Sequence, residues 1–175
     1  MPPEIETFLS EIGVEYQRWT RVYPIPATSP AEEILKAYEP ELQACRQKNN
    51  FAGHDVIELA PRAESAEKIR SDFKREHWHR DFETYFILDG RGICYVHPAG
   101  QAVVSVELEP GDLISIGKYI RHWCDVCPDT RFRAIRFISH PENQDTVYTR
   151  SGIEAEYEPL YVSPACFVYA GAHSR

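Results

Sequence analysis

The 175-residue chain has no apolar run that approaches membrane-spanning length, so a transmembrane helix is not expected. It has no cationic N-terminus followed by an apolar stretch, so no signal peptide is read. It lacks a basic excess: 19 Lys and Arg stand against 27 Asp and Glu, for a net charge of −8 and a pI near 5.4. Nucleic acids and anionic membranes reward basic surfaces, so neither is an expected partner. There is one C-x-x-C, Cys124 to Cys127, and no second to complete a zinc site. The five cysteines are scattered and odd in number, which reads as free thiols in a reducing cytosol rather than a disulfide framework. No internal repeat, linker or low-complexity segment divides the chain, and its length suits one domain with a sizeable core.

What is present changes texture near residue 77. Before it, helical and extended patterns mix. "IETFLSEIG" places Ile5, Phe8, Leu9 and Ile12 at helical spacing and offers Gly13 as a stop. "VEYQRW" alternates like a short strand. Ser29, Pro30 and Glu32 form a capping-box signature ahead of a helix that Pro40 should kink or split. "DVIELA" reads as a strand and "SAEKIRSDF" as a helix that carries Phe73 towards the core. From His77 onward short β-branched and aromatic runs alternate with turns. "TYFILDGRGICYVHP" predicts a hairpin around Asp89-Gly90, and "AVVSVELEPGDLISI" two strands around a second turn. "HWCDVCP" and "RFRAIRFI" add two more, and the spacing predicts an antiparallel barrel or sandwich. The expected organisation is a mixed α/β portion over 1–76, a barrel core over 77–140 and a C-terminal wrap over 141–175.

The stretch "HWHRDFETYF" carries the chemistry. Side chains alternate along a strand, so in a straight strand His77, His79, Glu83 and Tyr85 share one face. Phe82, Phe86 and Leu88 would then pack on the other, and Trp78 would point away from the first set. Two imidazoles and a carboxylate suit a first-row transition metal. His122, just past the turn in "GDLISIGKYIRHW", is the fourth candidate ligand. Three histidines and one carboxylate leave two octahedral positions for adjacent oxygens of a substrate. His54, His97, His140 and His173 have no partners at ligand spacing and read as surface residues. Cys124 and Cys127 read as incidental thiols.

The run "EHWHRDFETYFILDGRG", followed by "GDLISIGKYIRHW" and "FRAIRF", resembles acireductone dioxygenase, a cupin-fold metalloenzyme family of methionine salvage. "GVEYQRW", the helix near Ser29, "DVIEL" and Phe73 extend the likeness over nearly the whole chain. The resemblance implies a mainly-β cupin barrel (jelly roll) with helices packed outside. It implies one divalent metal on His77, His79, Glu83 and His122, with Fe2+ first, Ni2+ next, and Mn2+, Co2+ or Zn2+ as further candidates. It implies a dioxygenase that cleaves an enediol with O2 to formate and a 2-oxo acid, the nickel form also releasing carbon monoxide. A cytoplasmic monomer is expected. The alternative is a non-oxidative cupin, an isomerase or lyase, or a small-molecule-binding domain.

The chain departs from the family pattern where the substrate should lie. An Arg usually stands two residues after the metal Glu; here it is Tyr85, expected to orient substrate or donate a proton. Phe82 replaces an acidic residue, Cys124 an aromatic and Gln144 a tryptophan. Gly117 and Arg121 replace prolines. Lys118 and Arg121 are the candidate replacements for the missing Arg, and Arg136 matches an Arg of the family. With Phe73 these form the expected substrate set, and they point to an enediol other than the usual methylthio compound.

Overall fold

The computed structural model describes residues 3–19, 26, 28–128, 131–140, 142 and 145–157. Its N-terminal portion supplies four helices and two strands: α1 (Pro3–Glu11), β1 (Val14–Arg18), α2 (Ala31–Ala37), α3 (Glu39–Asn49), β2 (Gly53–Leu59) and α4 (Glu64–Phe73). Strands then dominate: β3 (His77–His79), β4 (Glu83–Asp89), β5 (Gly92–His97), β6 (Val104–Leu108), β7 (Asp112–Ile116), β8 (Arg121–Val126), β9 (Phe132–Ile138) and β10 (Thr146–Tyr148). They form two five-stranded antiparallel sheets, ordered β1-β7-β4-β9-β2 and β10-β3-β8-β5-β6. This is the mainly-β, jelly-roll arrangement expected, with the N-terminal strands completing both edges of the first sheet.

Three apolar clusters follow from strand alternation. Ile87, Ile114, Ile116 and Ala134 of the first sheet meet Cys94, Val96, Val106 and Val126 of the second between the two layers. The opposite face of the first sheet buries Phe86, Leu88, Leu113, Ile135 and Phe137 under Ile34 of α2, Leu42 of α3 and Tyr38 between them. On the outer face of the second sheet, Ile93, Tyr95 and Trp123 cluster, and the Tyr95 and Trp123 rings stack with centroids 5.0 Å apart.

Several local expectations hold. α1 ends ahead of Gly13, whose φ of +80° is costly for a side chain and whose Cβ would press on Ile120. Pro40 sits in the first turn of α3 and splits it from α2. The capping box does not form. Pro30 is the N-cap of α2 with no side-chain cap, and the Ser29 carbonyl instead accepts from Arg133.

The predicted Asp89-Gly90 hairpin is overturned. β4 pairs with β7 and β9, whereas β5 pairs with β6 and β8, so the turn carries the chain from one sheet to the other. The Gly is needed for a different reason: its φ is +80°, and a Cβ there would lie 2.2 Å from the Arg131 carbonyl oxygen. The turn at 109–112 likewise joins strands of different sheets. Cys45, Cys94 and Cys124 are free thiols, but Cys127 is disulfide-bonded, contrary to the all-thiol expectation. It is fully buried at the end of β8, and Cys124 is not its partner. The wrap expected from Tyr161 lies outside the described residues.

The ring of Phe86 is wholly buried and packs 4.8 Å from Trp19 and 5.2 Å from Tyr38, centroid to centroid. Phe86→Ala should therefore cost about 3–5 kcal/mol of stability, read by denaturant unfolding. A loss near zero would mean that the helices do not seal this sheet.

Candidate metal centre

The strand expected from His77 to Phe86 is broken. His77 and His79 belong to β3 in one sheet, and Glu83 opens β4 in the other. The chain crosses the sandwich between them, and Asp81 fixes the crossing. Its carboxylate is 1% exposed; it accepts the Phe82 amide at 2.9 Å, pairs with the Lys118 ammonium at 3.1 Å and bonds the His140 ring at 2.5 Å. Those partners outweigh burial and hold its pKa below the ordinary carboxylate value. Because the chain turns here, Phe82 leaves the core side expected for it. It is 41% exposed, with the Lys118 ammonium over its ring.

The crossing brings the four expected ligands together. His77 lies directly opposite His122 on β8, with ring centroids 4.5 Å apart, and His79 lies 5.1 Å from His77. One donor atom from each of His77, His79, Glu83 and His122 lies within 4.8 Å of the others. All four side chains are buried or nearly so.

Hydrogen bonds set the tautomers. Nδ1 of His77 faces the Arg75 carbonyl at 2.6 Å, Nδ1 of His79 the Asp145 carbonyl at 3.2 Å, and Nδ1 of His122 the Ile120 carbonyl at 2.8 Å. A carbonyl only accepts, so each Nδ1 carries the proton and donates. Each neutral ring then turns a bare Nε2 inward. The Nε2 of His79 is buried with no hydrogen-bond partner, and the Nε2 of His122 lies 2.7 Å from a Glu83 oxygen. Two lone-pair acceptors at that distance repel unless a cation lies between them. That cation is a proton on His122 or a metal shared by the set. Metal-bound imidazoles use this same arrangement, in which the outer nitrogen donates to a carbonyl. Ligands at about 2.1 Å from a metal stand about 3 Å apart at right angles and about 4.2 Å apart when opposite, so a set within 4.8 Å closes on one first-row ion with a small side-chain shift.

Electrostatics agree with a site built for positive charge. Burial alone would raise the Glu83 pKa, but His122 and His79 hold it well below the usual value. Burial, with the neighbouring His122, pushes His77 down to about 4. Burial also opposes charge on His79, but Glu83 overrides it and the net shift is upward.

Tyr85 stands where alternation predicted, beside Glu83. Its hydroxyl donates to the second Glu83 oxygen at 2.8 Å. Burial and the Glu83 charge push its pKa well up, so the phenol stays neutral and remains a donor. Phe73 from α4 and Cys124 from β8 share a cavity wall with Tyr85. Cys124 faces Cys94 across the β5–β8 pair, and the two thiols interact.

The basic candidates sort differently. Arg136, opposite Tyr85 in the sheet, is held by Asp55 through two bonds of 3.0 and 2.5 Å. Lys118 is committed to Asp81 rather than open to a substrate. Arg121 precedes His122, and alternation puts it with Trp123 on the outer face. Gln144 lies outside the described residues, as does His173. Trp78 points away from the metal face as expected and packs against Tyr119 at a tilt, 5.4 Å between centroids.

Two histidines read as isolated have buried carboxylate partners: His140 on Asp81, and His97 on Glu76 at 2.5 Å. Glu76 also accepts from Thr149 and from Ser151 at 2.7 Å, and so ties the segment after β10 to the start of β3. Sequence reading missed this support because it joins residues more than 70 positions apart. The only local signal is an acidic residue next to a ligand histidine.

The model of the ARD/ARD' family matches residues 2–145. Acireductone dioxygenase of Aquifex aeolicus is 34% identical over 160 residues, 91% of this chain and 86% of that protein. The Marinobacter nauticus protein of the same name is 35% identical over 164 residues, 94% and 87% of the two chains. A solved acireductone dioxygenase from Bacillus anthracis, with a cadmium ion in its active centre, is 30% identical. It superposes with a TM-score of 0.75, covering 83% of this chain and 88% of that one. With its fold, its buried three-histidine, one-glutamate cluster and these relatives in agreement, the chain belongs to the ARD/ARD' family.

Proposed function

We propose that this protein is an acireductone dioxygenase that cleaves an enediol beside a ketone with O2, giving formate and a 2-oxo acid. The observation that carries the reading is the set of three inward Nε2 atoms and one carboxylate, each Nδ1 tied to a carbonyl. A nitrogen and oxygen donor set suits Fe2+, Ni2+, Mn2+, Co2+ or Zn2+, and we assign Fe2+ first and Ni2+ next. When bound, the metal supplies Lewis-acid chelation of two adjacent substrate oxygens.

The residues around the ligands do the rest. The Tyr85 hydroxyl fixes the rotamer of Glu83 and holds a proton next to the reacting group. It brings a donor but no charge to the place where relatives are expected to carry an Arg, so the substrate's anionic oxygens meet a phenol there. Arg136, beside Tyr85, is the basic residue on the metal face, with Asp55 balancing its charge. Phe73 and Cys124 shape the apolar side. This altered lining supports an enediol other than the methylthio compound. We read the chain as a cytoplasmic monomer acting on a small molecule and O2. No described helix is long and apolar enough to cross a membrane.

The test is to add enzymatically generated acireductones, the methylthio compound and analogues with other tails, to metal-loaded protein without oxygen, and then admit O2. At least one should be consumed with one O2 taken up and formate released. If every enediol decays at its background rate, the dioxygenase reading is wrong.

Tyr85→Phe should keep the fold and lower turnover or metal affinity by about 10–100-fold, the range seen when a partner of a ligand is removed. Turnover and metal content both equal to the wild type would leave Tyr85 without a role.

A further inference from the structure

Strand β10 brings to the ligand face two side chains that sequence reading did not single out. It pairs antiparallel with β3, Thr146 opposite His79 and Tyr148 opposite His77. Directly opposed residues share a face, so Thr146 and Tyr148 stand with the histidines, and Val147 stands with Trp78 on the outer side. The cluster is open towards this edge. The side chains of His79 and Glu83 are 13% and 16% exposed, against 1% for His122, and Thr146 is exposed. Tyr148 borders that opening. Its ring meets the His77 ring in a T-shaped contact, 5.9 Å between centroids, and the Arg75 guanidinium lies over it, 3.7 Å from its centroid.

Arg75 differs from the other cations near the ligands in how little holds it. Lys118 is committed to the buried Asp81 carboxylate. Arg136 is held by both oxygens of Asp55. Among the described residues Arg75 has one carboxylate partner, Asp72, which accepts from Nη2 at 2.6 Å and leaves Nε and Nη1 open. Both members of that pair are exposed, and such a pair is weak enough to give way to a better-placed anion. The Tyr148 ring supplies the positioning instead: the cation–π contact keeps the guanidinium beside the histidines and leaves N–H donors free. The backbone is fixed as well, because the Arg75 carbonyl accepts from Nδ1 of His77.

Charge then decides which substrate the opening suits. The chelating oxygens of an enediol meet the ligands and the neutral Tyr85 phenol. The Arg75 charge stands one ring further out, past Tyr148, where the part of the substrate that does not chelate would lie. A guanidinium there is matched by a carboxylate.

We propose that Arg75, seated on Tyr148, binds a carboxylate on the substrate's tail, and that the preferred enediol of this protein carries such a tail. The inference rests on the dioxygenase reading for the enediol, and on geometry alone for the anion subsite. It makes Arg75 a residue of specificity, apart from the metal ligands and Tyr85.

Two probes of equal chain length isolate the charge of the tail: 2-oxoglutarate and 2-oxopentanoate. Both offer adjacent keto and carboxylate oxygens to a metal, and only the first has a second carboxylate. Titrated by calorimetry into Zn2+-loaded protein without oxygen, 2-oxoglutarate should bind about tenfold more tightly, as one charge-assisted pair provides. Arg75→Gln should abolish that preference, leaving zinc content unchanged and the affinity for 2-oxopentanoate within about twofold. Arg75→Lys should retain part of it, because the charge stays. Equal binding of the two probes by the wild type overturns the subsite, and so does a preference that survives Arg75→Gln. Turnover separates this inference from the reading beneath it. The wild type should consume a carboxylate-tailed acireductone with a kcat/KM about tenfold above that of its neutral-tailed counterpart. Enediols consumed with no preference for the charged tail overturn the specificity and keep the dioxygenase. A probe preference in a protein that consumes no enediol with O2 keeps the anion subsite and overturns the enediol assignment together with the dioxygenase reading.

Discussion

The contact on which the rest of the structure depends is between Glu83 and His122, 2.7 Å apart across the gap between two sheets. The carboxylate comes from β4 in one layer and the imidazole from β8 in the other. Neither group belongs in an apolar interior alone, since burying an unpaired charge is costly. Together with His77 and His79 they form a compact set whose charges need a cation at the centre. Both pKa values move down, Glu83 well below the usual carboxylate value and His77 to about 4, so carboxylate and imidazole alike favour the deprotonated form that a cation needs.

The surrounding network keeps the contact from collapsing or drifting. Asp81 makes the corner that lets three residues span from β3 to β4, with Lys118 and His140 satisfying its charge. Glu76 fastens the residues after β10 against the start of β3, and the Asp145 carbonyl on the near side of β10 orients His79. Tyr85 completes the second oxygen of Glu83. These are hydrogen-bonded carboxylates rather than loose surface ion pairs, so the ligand geometry is set before any metal or substrate arrives. Helices α2 and α3 support the same strand from behind, through Phe86 and Leu88.

Much of the site was legible because its signals are local. His77 and His79 are two apart, and so are Glu83 and Tyr85; alternation alone puts each pair on one face. The shared face of all four was right for a different reason than the one read. The chain bends and changes sheets between them, and a straight strand was only an approximation to that. His122 was legible from its place just past the turn in "GDLISIGKYIRHW", and the resemblance agreed. What failed was long-range. Asp89-Gly90 announces a turn, but turn chemistry cannot say whether the next strand pairs with the last or enters the other layer. Phe82 looked like a core residue because nothing in its neighbourhood announces the corner at Asp81. His97 and His140 looked idle because their partners, Glu76 and Asp81, are 21 and 59 positions away. Lys118 looked available for a substrate for the same reason.

The central claim is that these four side chains are a metal centre and not a hydrogen-bonded core cluster. The most direct measurement is the metal content and affinity of untagged protein as pH is lowered. Metal needs neutral imidazoles and an ionised carboxylate, and protons compete for the same nitrogens. His79, whose pKa is raised, gains its proton early as pH falls, whereas Glu83, held low, stays ionised. The account predicts one Fe2+ or Ni2+ per chain at neutral pH. Affinity should fall by about tenfold per pH unit as His79 gains its proton, starting above the ordinary imidazole value of about 6.5. A protein that stays folded at neutral pH and binds no first-row metal would contradict it, and the stretch from His77 to Phe86 would be a core segment that happens to contain histidines.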